Sequence, residues 1–199
     1  MKKKGGKVLS GGLRLMWIGE CVAAAGMAAE IITLIWALFE PGIFFLVVAA
    51  TLSLLVGFVM GVAGLWKLRR EHTAYRNALL ALAAMLVCAL LKPKDAGMLT
   101  FVLDLLSTVL GLLELCLVVR ATNSFLSGDD REDLRTEGKR ALWAKIVTAL
   151  VSLVSSILTG LLLDGAARVL THLAVTEAAM IVSETLYLIY LKHSSEALG

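Results

Sequence analysis

Proline is almost missing from this 199-residue chain: Pro41 and Pro93 are the only two, and each sits in a short polar break. Long stretches therefore lack the residue that most reliably stops a helix. Charge is also scarce. Asp, Glu, Lys and Arg make up 18% of the residues against 59% hydrophobic ones, and the mean hydropathy is +0.85. That balance excludes an ordinary soluble domain. Cys21, Cys88 and Cys116 are odd in number, lie within apolar runs and fit no zinc or redox spacing. A disulfide framework is thus excluded, and they read as small buried apolar residues. The chain has no Asn-x-Ser/Thr sequon, which is compatible with a bacterial inner membrane. It also has no Gly-x-Ser-x-Gly elbow, no His-Glu-x-x-His pair and no Gly-x-x-x-x-Gly-Lys-[Ser/Thr] loop. Serine hydrolases, metalloproteases and nucleotide-driven pumps thereby lack their minimal parts, and no cofactor or metal is expected.

What is present is six apolar runs, at about 14–39, 43–66, 74–91, 98–119, 142–163 and 168–191. A span needs about 20 residues to cross roughly 30 Å of hydrocarbon. Continuous Leu, Ala and Val without alternation point to helices, since an open sheet would leave backbone groups unpaired in lipid. The expected fold is an all-α polytopic bundle of six transmembrane helices over 13–191. A basic N-terminus precedes it at 1–12, a loop interrupts it at 120–141, and a tail follows at 192–199. The first run is too long for a cleaved signal and contains Glu20 and Glu30, so a retained anchor is expected.

Lys and Arg set the orientation. With the N-terminus inside, Lys2, Lys3, Lys4, Lys7, Arg14, Lys67, Arg69, Arg70, Arg76, Arg120, Arg131, Arg135, Lys139, Arg140, Lys145 and Lys192 fall on the cytoplasmic side. Only Lys92, Lys94 and Arg168 fall outside. Both termini are therefore expected in the cytoplasm, in the cell inner membrane. The formal charge of +3 expresses this bias and contact with anionic headgroups. No aromatic-interleaved basic patch points to nucleic acid.

Short outer breaks at 40–42, 92–97 and 164–167 predict three antiparallel hairpins. The inner segment 120–140 contains Ser127-Gly128-Asp129-Asp130-Arg131-Glu132-Asp133, which reads as a turn into a short surface helix. It is a place for a cytoplasmic partner to dock or simply a solvated linker. Two halves of three helices share one ten-residue acid spacing, Glu20 to Glu30 and Asp104 to Glu114. That spacing is compatible with a 3+3 inverted repeat, although helix 3 carries no acid to match helix 6.

The acids within the runs carry most of the functional information. An ionised side chain at bilayer depth costs at least about 2.5–3.5 kcal/mol, so each needs a partner, a proton or water. Glu20, Glu114 and Glu184 fall in the inner half of the bilayer, and Glu30, Asp104 and Glu177 nearer the middle or outer half. Helix 5 carries a polar stripe of Lys145, Thr148, Ser152, Ser155 and Thr159. Helix 6 answers with His172, Thr176, Ser183 and Tyr187, and with Glu177 and Glu184. Facing stripes enclose a wet cavity or hold the helices together by hydrogen bonds. Lys145 is within reach of Glu184, and His172 within reach of Asp164 or Glu177. His172 is also the one titratable group of neutral range in these stripes.

On helix 2, Ala50, Ser53, Gly57, Gly61 and Gly64 form a small-residue seam that fits close packing against helix 1, at Ala24, Ala25, Ala28 and Ala29, or against a second copy in a homodimer. Trp17, Trp36, Trp66 and Trp143 lie near run ends, as interface anchors do. Asp164-Gly165-Ala166-Ala167-Arg168 opens like the signature of phospholipid-synthesising alcohol phosphotransferases. It is one residue short and lacks the later Gly and paired Asp, so that chemistry is excluded.

The leading expectation is a small transporter or channel for a cation or small solute, with Glu177, Glu184, Glu20, Glu30, Asp104, Glu114, His172 and Lys145 as its ion or proton sites. The alternative is a membrane-embedded binding or assembly subunit with no transport cycle, which resembles the small six-helix substrate-capture subunits of modular importers in size and topology alone. An intramembrane enzyme using an acid and His172 is the third.

Overall fold

The computed structural model describes residues 2–37, 44–93, 98–126, 131–162 and 165–199. Six helices make up nearly all of them: α1 (Lys2–Ala37), α2 (Phe44–Leu68), α3 (Thr73–Leu91), α4 (Met98–Leu126), α5 (Glu132–Leu162) and α6 (Gly165–Ala197). Among the described residues there is no strand. Five segments are long and apolar enough to cross a membrane: Gly6–Thr33, Phe45–Leu68, Thr73–Leu91, Leu99–Leu126 and Ala174–Ala197. The sixth run, over 142–163, lies on α5, part of whose far end has side chains outside the described residues. The outer faces of these helices bear Leu52, Val56, Leu90, Phe101, Leu106, Ile157 and Val182, each 45–77% exposed. Apolar surface on that scale needs lipid around it.

The helices overrun the apolar runs at one end. α1 begins at Lys2, α4 continues to Leu126, α5 starts at Glu132 and α6 reaches Ala197. The expected basic N-terminus and the surface helix of the 120–141 loop are therefore first and last turns of the long helices themselves. Two causes operate. Lys, Arg, Glu and Leu are good helix formers, and the extensions are amphipathic: Leu9, Leu13, Leu126, Leu134 and Leu191 are buried while Lys7, Arg135, Lys139 and Lys192 are exposed. Glu132 and Asp133 sit in the first turn of α5, where carboxylates complement the helix dipole.

The chain forms two compact units, Met1–Arg76 with Leu191–Gly199, and Asn77–Tyr190. This division falls within α3 and does not coincide with two halves of three helices. In the first unit, α1 and α2 pack as an antiparallel hairpin through glycines. A Cβ on Gly19 would lie 2.7 Å from the Gly57 carbonyl oxygen, one on Gly57 2.6 Å from that of Gly19, and one on Gly64 2.8 Å from that of Gly12. Backbones this close admit no side chain. The seam on α2 is thus used within the chain at Ala50, Gly57 and Gly64. Its partners on α1 are Gly12, Gly19, Ala23 and Gly26, one face removed from the alanines expected. A Cβ on Gly61 would meet nothing.

The two ends of the chain also meet in this unit. Ser10 donates from Oγ to the Ser195 carbonyl at 2.7 Å, and a Cβ on Gly6 would lie 3.0 Å from the Leu198 carbonyl oxygen.

In the second unit, Met85 lies against Gly111 and Lys92 pairs with Asp104, which sets α3 and α4 antiparallel. Tyr190 on α6 is fully buried, donates from Oη to Asn123 Oδ1 on α4 at 3.1 Å, and covers Gly138 on α5, where a Cβ would lie 2.7 Å from its ring. One aromatic side chain therefore ties three helices together.

Candidate functional site

The α5–α6 hairpin holds the largest group of residues that the sequence nominates. It is built in register. Gly138 faces Tyr190, Lys145 faces Glu184, Thr148 faces Ala179 and Ser155 faces His172, so the numbers of facing residues add to 327–329 along its length. A constant sum is what two antiparallel helices with matched rise produce.

The polar stripe of α5 is largely taken up by α6. Lys145 Nζ makes an ion pair and hydrogen bond with Glu184 Oε1, the side chains being 23% and 14% exposed. Thr148 Oγ1 donates to the Ala179 carbonyl at 3.0 Å, and Ser155 Oγ lies 3.1 Å from His172 Nδ1. On α6 itself, Thr176 donates back to the His172 carbonyl at 2.7 Å and Ser183 to that of Met180 at 3.0 Å, which satisfies two hydroxyls without any ligand. The same register puts half-buried Ser152 level with Thr176 and Glu177.

The other nominated residues are spread out. Asp104, on α4, is 56% exposed and pairs at 2.6 Å with Lys92, 43% exposed, just beyond α3. This is the rim of a hairpin and not a dry interior. Glu114 on α4 and Glu177 on α6 are half-buried, and each makes a further interaction. Glu20, also half-buried and also in an interaction, belongs to the first unit. The side chains of Glu30, Thr159, Arg168 and Trp36, and the whole of Asp164, lie outside the described residues. Of the eight nominated residues, Lys145 and Glu184 are brought into direct contact. Among the described residues, no three His, Cys, Asp or Glu side chains converge as a metal site.

Two partners escape the sequence. Lys92 follows a predicted turn and looks like a solvated charge, and only the α3–α4 register aligns it with Asp104. Tyr190 is one aromatic among many apolar residues near a run end. Its neighbour Gly138, standing in a charged helical segment, is the available signal that something large packs there.

No protein family matches this chain, and neither a curated protein nor a solved structure matches it.

Proposed function

We propose that this chain is a membrane-embedded binding or assembly subunit, with both termini on the cytoplasmic side of the inner membrane and no transport cycle of its own. The observation that supports this most is the α5–α6 register: Lys145, Thr148, Ser155, His172, Thr176, Ser183 and Glu184 contact the facing helix or their own backbone. Satisfied hydroxyls and a neutralised Lys145–Glu184 pair hold helices in place and leave little to solvate a moving solute. The contact between Ser10 and Ser195 fits an even number of crossings, and the one-sided distribution of Lys and Arg fits termini inside. The charged first turns of α5, where Glu132, Asp133, Arg135, Lys139 and Arg140 are exposed, supply the surface for a cytoplasmic partner.

Liposomes containing only this protein test the reading. No proton or cation flux is expected under any gradient, and co-purification of a cytoplasmic partner is expected to depend on residues 131–140. Steady flux from the protein alone overturns it.

One observation favours a carrier as the second reading. A buried ion pair contributes less stability than well-packed apolar residues of the same size, so Lys145 and Glu184 are an expensive way merely to join two helices. Glu177 stands two turns from Glu184 on one face of α6. A proton or cation arriving at these carboxylates would release Lys145 and open the hairpin. That reading expects pH-dependent flux that Glu184→Gln or Glu177→Gln abolishes in a protein that still folds.

A further inference from the structure

The inner end of the α1–α2 hairpin gathers positive charge around a glycine. Lys67 lies in the last turn of α2, at the end of the apolar span Phe45–Leu68. Its ammonium runs across α1 at Gly11: a Cβ there would lie 2.5 Å from Lys67 Nζ and 3.5 Å from Cε. Glycine at this position leaves the flexible end of Lys67 open space to lie against the helix. Lys7 and Arg14 stand four residues before and three after Gly11, on the same face of α1. The helical rise puts them about 6 Å and 4.5 Å from its level along the axis.

All three cations are exposed. None makes a hydrogen bond or ion pair among the described residues, and the acids nearest in sequence, Glu20 and Glu71, pair with none of them. Three exposed like charges at one end of the hairpin favour an anion beside them. The level of the cluster identifies it. Beside Lys67, the guanidinium of Arg69 stacks over exposed Trp66 at 3.1 Å from the ring centroid, and tryptophan with arginine at the end of an apolar span marks the headgroup layer.

We propose that Lys7, Arg14 and Lys67, arranged around Gly11, form a binding site for the phosphate of an acidic phospholipid headgroup. Lys67 supplies the charge from α2 that lies against α1 at Gly11, and Lys7 and Arg14 flank it along α1. The site differs from the general attraction of a basic surface to an anionic leaflet because it is confined to the end of the α1–α2 hairpin, so that removing as many cations from α5 leaves it intact.

The full-length protein in mixed micelles tests this, with retained lipid counted by native mass spectrometry. Wild type is expected to retain phosphatidylglycerol over phosphatidylcholine. Each cation near the surface accounts for about five-fold in affinity, so Lys67→Gln with Arg14→Gln is expected to lower phosphatidylglycerol retention about thirty-fold. Lys139→Gln with Arg140→Gln, exposed cations on α5, is expected to leave the preference intact. Size-exclusion elution confirms that each variant folds, which exposure of the charged positions favours. Equal retention of the two lipids by wild type overturns the proposal, as does an equal loss in the α5 variant. Stabilisation by inorganic phosphate without lipid preference overturns the assignment to a lipid.

Discussion

Three polar residues illustrate how burial sets the consequence of a single change. Glu184 and Asp104 are both carboxylates paired with lysine, but their side chains are 14% and 56% exposed. Breaking a fully buried pair costs about 3–5 kcal/mol because it strands the other charge, whereas an exposed pair contributes little beyond about 1 kcal/mol. Glu184→Gln is therefore expected to destabilise the protein in detergent by about 1–3 kcal/mol, less than the full figure because Lys145 is 23% exposed and can swing toward water. Asp104→Asn is expected to leave the melting temperature almost unchanged. Equal losses in thermal unfolding would contradict the contrast. Replacing both Lys145 and Glu184 with Met is expected to recover most of the stability lost in the single variant. Ser194 is the converse case. Its hydroxyl is fully buried without a hydrogen-bond partner among the described residues, and an unsatisfied buried group costs about 1–3 kcal/mol. Ser194→Ala is expected to hold or raise the melting temperature, and a drop of several degrees would show that the hydroxyl has a use.

At the level of helices, what the sequence makes legible and what it hides follow from the same physics. The six runs are visible because lipid demands about 20 apolar residues in a row, and α3, expected over about 74–91, runs Thr73–Leu91. The overrun of α1, α4, α5 and α6 is hidden, because hydropathy reports where lipid is and not where a helix ends. Small-residue seams are half legible. The α2 stripe is a real contact, but rotation of α1 about its axis decides whether Gly19 and Ala23 or Ala24 and Ala28 meet it, and composition does not fix that rotation. Register is invisible in one chain for the same reason, although it decides that Lys145 meets Glu184 and Lys92 meets Asp104. It is open to a direct check. The constant sum in α5–α6 puts Ser152 level with Thr176, so in a background without native cysteines Ser152→Cys should crosslink with Thr176→Cys and not with Met180→Cys. Crosslinking of the second pair alone would mean a slip of one turn. On the α1–α2 side, Gly57→Leu is expected to destabilise strongly because its Cβ would overlap the Gly19 carbonyl, while Gly61→Leu, pointing into open space, is tolerated.

For the molecule as a whole, the distribution of charge is the strongest guide, and it leads to a question of sides. Sixteen Lys and Arg residues assigned to one side against three on the other exceed what chance placement gives, and such a bias sets orientation when it lies in short loops close to the span ends. The helical extensions strengthen the argument, since the basic residues of α1 and α5 sit on the first turns of long helices and not on free tails. If all six helices cross, an exposed position at the α3–α4 turn and one in the last turns of α6 lie on opposite faces of the membrane. Lys92 and Lys192 are exposed at those two places. In a protein without its native cysteines, Lys92→Cys is expected to react with a membrane-impermeant maleimide on intact cells, and Lys192→Cys only after the membrane is opened. The reverse pattern would leave the helices as they are and invert the orientation. Labelling of both from outside would require an even number of crossings between them, which would remove α5 or α6 from the membrane.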